Sequence, residues 1–166
     1  MADTIRELII QELLTRAAVI RTTDTTPAYA TDIGETVLRA RPKVDPEELP
    51  LCVIWPQVET AENIHGKSFH KMPLKIEGLS VFESENPSIV SERILGDMIK
   101  CFTSPNWDRR RPVAGSPVTY LDPYMEAIIY QGGGVESAPE DGAVSTAAHA
   151  MFLVTYYTAI GDPFTQ

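Results

Sequence analysis

The chain has 166 residues, a formal net charge of −9, 43% hydrophobic and 22% charged residues, and a mass of 18.3 kDa. A chain of this length folds most simply as one domain burying roughly 70% of the surface it exposes when unfolded, and this balance of apolar and charged residues excludes a disordered tail. The acidic charge argues against a grip on nucleic acid, where affinity comes from neutralising phosphates. No apolar run approaches the 18 or so residues of a membrane span, and the N-terminus lacks a secretory pattern, so the chain is expected to stay in the cytosol where it is made.

Thr4 followed by Glu7 reads as a capping box that opens a helix. Ile5, Leu8, Ile9, Leu13, Ala17 and Ile20 recur at helical spacing, Ile10, Leu14 and Ala18 widen the stripe, and Arg6, Gln11, Glu12 and Arg16 fall on other faces. Thr22 to Ala28, rich in Thr and broken by Pro27, reads as a loop. Asp32-Ile33-Gly34 is a turn signal, because Asp bonds nearby backbone and Gly tolerates positive φ. A strand follows from Thr36, with Thr36, Leu38 and Ala40 on one side and Val37, Arg39 and Arg41 on the other, ended by Pro42. Asp45-Pro46-Glu47-Glu48 is a solvated connector, and Leu51 to Trp55 a short apolar run that suits a buried strand.

Gln57 to Lys71 reads as a long connecting loop. Within it, Ala61 to Ser68 (A-E-N-I-H-G-K-S) satisfies a relaxed phosphate-loop pattern, which we reject. Such a loop needs glycines that let backbone N–H groups curl round phosphates and a helix beginning at its Lys-Ser; here Ala61 replaces the first glycine and a strand pattern follows Ser68. His65 and His70 with Glu59 and Glu62 offer no established metal geometry, and a solvated loop carrying two histidines is expected. Met72, Leu74 and Ile76 then alternate with polar or Pro positions in a strand pairing back on Leu51 to Trp55. Beyond Gly78, Leu79 and Val81 change parity, suggesting a bulge or a switch of buried face.

Asn86 as N-cap and Pro87 as first residue mark a second helix with the stripe Val90, Ile94, Leu95, Met98, Ile99 and Phe102, ending before Pro105. Asn106 to Pro112 then carries Arg109, Arg110 and Arg111, suited either to the acidic face of a partner or to local carboxylates on a solvated connector. Tyr124 to Tyr130 reads as a strand. Gln131-Gly132-Gly133-Gly134 opens a connection of some fifteen residues, too long for a tight hairpin and expected to be either mobile or an interaction surface. Ala147 to Thr158, apolar on both faces, reads as a strand central in its sheet, with His149 as a tolerated side chain. Cys52 and Cys101 read as reduced, buried small hydrophobes. The expected fold is α/β of the α+β kind. It is a single domain over 1–166, in the order α-β-β-β-α-β-β, with a mixed or mainly antiparallel sheet and two helices packed on one face.

Three stretches carry a family resemblance: Y-x-T-D-I-G-x-x-V-x-R at Tyr29 to Arg39, E-L-P and the apolar strand at Glu48 to Trp55, and T-x-x-G-D-P at Thr158 to Pro163. In them the chain resembles the tail terminator proteins of long-tailed bacteriophages, related to the lambda-type minor tail protein that caps the tail tube. The resemblance implies a structural virion protein, without catalysis, cofactor or metal. It would form a homohexameric ring on the last ring of tail tube protein, end tube polymerisation and meet the head–tail connector on its other side. DNA would pass through the lumen without specific binding, and an acidic lining would keep it from sticking. It would sit in the virion at the head-proximal end of the tail, after assembly in the host cytoplasm. Candidate contacts to a neighbouring subunit or to the tube are Arg39, Arg41, Arg109, Arg110 and Arg111. The alternatives are another head–tail joining or tail-completion protein and, farther off, a small nucleotide-binding protein or enzyme using Ala61 to Ser68.

Overall fold

The computed structural model describes residues 3–23, 28–41, 43–82, 85–103, 124–135 and 145–166. The elements are α1 (Ile5–Ala17), β1 (Thr36–Arg39), β2 (Leu51–Pro56), β3 (Thr60–Ile64), β4 (Lys67–Val81), α2 (Pro87–Thr103), β5 (Met125–Val135) and β6 (Ser145–Ala159), with one 3-10 turn at Pro46–Glu48. The expected α+β class holds, with one strand more than the sequence suggested. The sheet has six strands in the order β1-β2-β4-β6-β5, with β3 also paired to β4. Among the described residues only the β1–β2 pair is parallel; the other ladders are antiparallel.

Both helices contribute to one core on one side of the sheet. Ile9, Ile10, Leu13 and Ala17 of α1 and Val90, Ile94, Met98, Cys101 and Phe102 of α2 meet Cys52, Ile54, Met72, Leu74, Ile76, Ala148, Ala150, Phe152 and Val154. The strand residues on this list are every second one along each strand, which is the period-2 signature of a face turned to helices. β6 lies between β4 and β5, the central place that its apolar length suggested. Thr4 caps α1 by accepting the Glu7 N–H, but the Glu7 carboxylate turns away from the cap to Arg39. Asn86 caps α2 through the Ser88 N–H.

Most of the expected loop at 57–71 is instead a regular hairpin. β3 and the start of β4 pair from Thr60↔Lys71 to Ile64↔Lys67, joined by His65 and Gly66, both at positive φ (49° and 80°). Two consecutive left-handed residues match the twist of the flanking strands, which is why two-residue hairpins use them. Ser68 is therefore a strand residue paired with Asn63 rather than a helix start, so Ala61 to Ser68 lacks phosphate-loop architecture.

β2 and β3 run along the same side of β4 as one interrupted strand. Pro56 pairs with Leu74 and Thr60 with Lys71, so Gln57, Val58 and Glu59 stand opposite only Pro73 and Met72. One residue is extra, as in a β-bulge. Gln57 N–H donates to the Pro73 carbonyl at 2.9 Å. Pro73 has no N–H to return on that edge, and a bulge is where a sheet tolerates that loss. Val58 is extruded, at 89% exposure.

Four further expectations are corrected. β4 pairs with β6 in unbroken register from Lys67 to Val81, so no bulge lies at Gly78. That glycine keeps the helix-facing parity, and a Cβ there would collide with Ile94 of α2. β5 continues through Gly132, Gly133 and Gly134 to Val135, its register shifting at Gln131. A Cβ on Gly133 would strike the His149 carbonyl, so the glycines serve close packing in a strand. Arg16, expected on another face of α1, is 1% exposed. Finally, β1 stops at Arg39 because Ala40 takes φ 44°; Pro42, expected to end it, lies outside the described residues, as do Pro105, Arg109, Arg110, Arg111 and the polar segment 136–144.

Candidate functional site

The signature stretch from Tyr29 to Gly34 folds as a clasp between α1 and α2. Asp97, 5% exposed on α2, accepts from Ala30 N–H at 2.9 Å, Thr31 N–H at 2.8 Å and the Thr31 hydroxyl at 2.7 Å. One turn on, Lys100 donates to the Ala28 carbonyl and lies over the Tyr29 ring. Asp32 caps the preceding segment by accepting from the Thr22 N–H and hydroxyl. Gly34 N–H reaches the Ile20 carbonyl at 2.9 Å, so closely that a Cβ would sit 2.5 Å from the Ala17 carbonyl oxygen. The Tyr, Thr, Asp and Gly of the motif thus each have a structural reason.

Beneath the clasp lies a buried polar group that helical spacing could have revealed. Ile9, Leu13, Arg16 and Ile20 share one stripe, and Arg16 sits in it near Tyr29 and Cys101. Burial pulls its guanidinium down to about 9. Burial likewise pushes the Cys101 thiol up to about 11 and raises Cys52. Both cysteines are free and buried, as expected, and their thiols stay protonated at neutral pH.

The second cluster is one that sequence reasoning missed. The bulge at Val58 turns Glu59 onto the helix face of the sheet. There Glu59 accepts from the Tyr156 hydroxyl at 2.7 Å and from Arg6 Nε at 3.2 Å. Arg6 also donates to the Gln57 carbonyl. Burial, then the Glu59 carboxylate, pushes the Tyr156 phenol above its ordinary range. His70 stacks on Tyr156 with ring centroids 4.6 Å apart. Its Nε2 lies 2.9 Å from Thr158 Oγ1, and its Nδ1 3.5 Å from Glu59 Oε1. His70 is therefore part of a packed knot rather than a solvated loop, whereas His65 stands exposed at the hairpin tip.

Hydroxyl, imidazole and carboxylate here fall in the order that activates a nucleophile, but the nucleophile would have to be reached by substrate. Thr158 is 4% exposed, so the arrangement ties α1, β4 and β6 together instead. Glu62 faces the other side of the hairpin, paired with Lys71 at 3.0 Å. Among the described residues no group of three or more His, Cys, Asp or Glu side chains gathers to hold a metal ion, and no helix is long and apolar enough to cross a membrane.

The two described candidate arginines have local partners. Arg39 holds both oxygens of Glu7, at 2.7 and 2.8 Å, and this pairing pulls the Glu7 carboxyl below its ordinary value. Arg41 pairs with Glu48 at 2.7 Å. Their side chains stay 39% and 46% exposed, so each still presents charge at the surface, in a fixed position. His149, on the face away from the helices, is exposed.

Two of the three stretches of the resemblance bond directly to α1: β1 reaches it through Arg39 and Glu7, and the C-terminal turn through the Pro163 carbonyl, which accepts from the Ile5 N–H at 2.9 Å. The apolar strand of the other stretch packs Cys52 and Ile54 into the core that α1 shares, and Gln57 and Glu59, just beyond it, bond Arg6. That turn is itself held by Asp162, which accepts from Phe164 N–H and the Thr165 hydroxyl. No protein-family model matches the chain, and neither does any curated protein.

Proposed function

We propose that the chain is a structural virion protein that caps the tail tube of a long-tailed phage as a hexameric ring. It would stop tube polymerisation and offer the surface on which the head–tail connector sits. The observation that supports this reading is that the first and last of the three stretches both bind α1, through Arg39 on Glu7 and the Pro163 carbonyl on the Ile5 N–H, while the second packs Cys52 and Ile54 into the core that α1 shares, so all three belong to one scaffold. The roles found for Tyr29, Thr31, Asp32 and Gly34 are all scaffold roles, which suits a part whose work is shape and contact.

The net charge of −9 supports a conduit for DNA rather than a grip on it. Arg39 and Arg41 are exposed cations held in place by Glu7 and Glu48, and they remain the described contacts we assign to a neighbouring subunit or the tube protein. Electron microscopy of tails assembled without this protein tests the reading: tubes of uncontrolled, excessive length are expected, and tails of normal length would end it.

A further inference from the structure

Among the described residues the sheet ends in two strands with no strand on their outer side, β1 at one edge and β5 at the other. β1 runs parallel to β2, and every further step, β2 to β4, β4 to β6 and β6 to β5, reverses direction. The two edge strands are therefore antiparallel to each other. A second copy moved sideways, with its helices on the same side of the sheet, would bring its β5 to the first copy's β1 in the sense that makes the stronger ladder.

The rows of paired residues that cross the sheet show what would meet. The row of Leu38 passes through Val53, Glu77 and His149 to Gly134, and the row of Arg39 through Ile54, Ile76 and Ala150 to Gly133. Two side chains on one edge thus stand level with two glycines on the other, which leave room for close approach. Past Arg39 the first edge steps back by one strand, because β1 stops there while β2 and β3 carry the edge on. Val58, 89% exposed, stands at that step. It lies beside the row that runs from Gln57 through Pro73 and Leu153 to Ile129, which is 50% exposed. With β5 laid against β1, the step leaves a gap of about 10 Å, two strand spacings, that these two apolar side chains can fill.

We infer that β1 of one copy and β5 of the next form an antiparallel ladder, with Leu38 beside Gly134 and Val58 facing Ile129 across the step. The inference rests on the ring reading and deepens it by naming the edges that join. Rotation about an axis along the strands shifts each copy sideways without sliding it, so the rows keep their level from copy to copy. Each contact uses one edge of each kind and leaves one of each free, so growth ends when the ring closes. Joining the edges also covers the unpaired backbone that an open sheet must otherwise guard. Val58 needs little ordering on contact, since Gln57 is bonded to Pro73, and Glu59 to Arg6 and Tyr156, on either side of it.

The test uses the full chain carrying Leu38→Cys together with Gly134→Cys, oxidised at assembling concentration and run on a denaturing gel without reductant. Facing residues of an antiparallel pair lie close enough for a disulfide, and a side chain at Gly134 meets only the His149 ring, at ordinary contact distance. A ladder of linked chains is expected from the double variant, and no species beyond a dimer from either single one. Cys52 and Cys101 are buried and do not compete. In parallel, Val58→Asp and Ile129→Lys, both at exposed sites, are each expected to weaken self-association roughly threefold to tenfold, and the two together to restore most of it.

If the wild-type protein forms rings but the double cysteine variant links no further than the single ones, the edges are wrong while the ring reading stands. Additive loss when Val58→Asp and Ile129→Lys are combined would overturn the inference in the same way. A wild-type chain that forms no ring, alone or with tube protein, would remove the reading itself.

Discussion

The clasp at Tyr29 to Gly34 and the knot at Glu59 both hold α1 to the rest of the molecule, by opposite means. The clasp is local chemistry with one distant anchor: turn residues present successive backbone and side-chain donors, and a single carboxylate on α2 collects them. The knot is assembled from four segments. Arg6, Glu59, His70, Tyr156 and Thr158 come together only because an extra residue in the β2–β3 strand rotates Glu59 inward. A motif written in turn chemistry can be recognised in a sequence, whereas one made by register cannot.

This contrast can be broken from the clasp side first. Asp97→Ala removes the acceptor for three buried or part-buried donors and should cost about 3 kcal/mol, seen as a lower urea midpoint with unchanged slope. A loss under 1 kcal/mol would mean that the loop is held elsewhere. Gly34→Ala places a methyl against the Ala17 and Ile20 carbonyls, which are backbone and cannot swing aside. About 2 kcal/mol is expected, read as a drop in Tm.

The knot should respond less to any single change, since its contacts are shared. Tyr156→Phe deletes one hydrogen bond to Glu59 while keeping the ring stacked on His70, for an expected loss of about 1 kcal/mol. A much larger loss would make Tyr156, rather than the carboxylate, the centre of the knot.

The smallest effect is expected for Arg39→Ala, because exposed ion pairs contribute less than about 1 kcal/mol. Its pH dependence is the sharper readout. Arg39 lowers the Glu7 carboxyl, so the stability from this pair is present above the ordinary carboxylate value of 4.5 and is lost as pH falls through the lowered one. The difference between wild type and variant should therefore be constant at neutral pH and vanish in acid. A difference that persists when Glu7 is protonated would show that Arg39 acts by packing.

Both helices, β2 and the central place of β6 were legible, because apolar spacing, caps and prolines agree along those segments. β3 was not: Thr60 to Ile64 faces solvent almost throughout, so it has no apolar alternation to display. The one available signal was His65-Gly66 between two segments able to pair, a two-residue turn that favours positive φ. Gly132 to Gly134 misled for the reverse reason. Glycine signals a loop until a neighbouring strand and helix come close enough to need it, and those neighbours, His149 and Leu95, lie distant in sequence.

Arg16 was hidden by its charge, although it stands at helical spacing from Leu13 and Ile20. Of the candidate contacts, Arg39 and Arg41 could be identified as surface cations. Their fixed geometry depends on Glu7 and Glu48, and for Arg39 that partner lies 32 positions away.

The central claim is that copies of this chain close into a ring. The most direct measurement is the native mass of the purified protein over a concentration series, with negative-stain images of the same fractions. The account predicts a species of roughly six times the chain mass of 18.3 kDa with ring-shaped projections, formed alone at high concentration or on addition of tube protein. A monomer at every concentration that also forms no ring on the tube would contradict it.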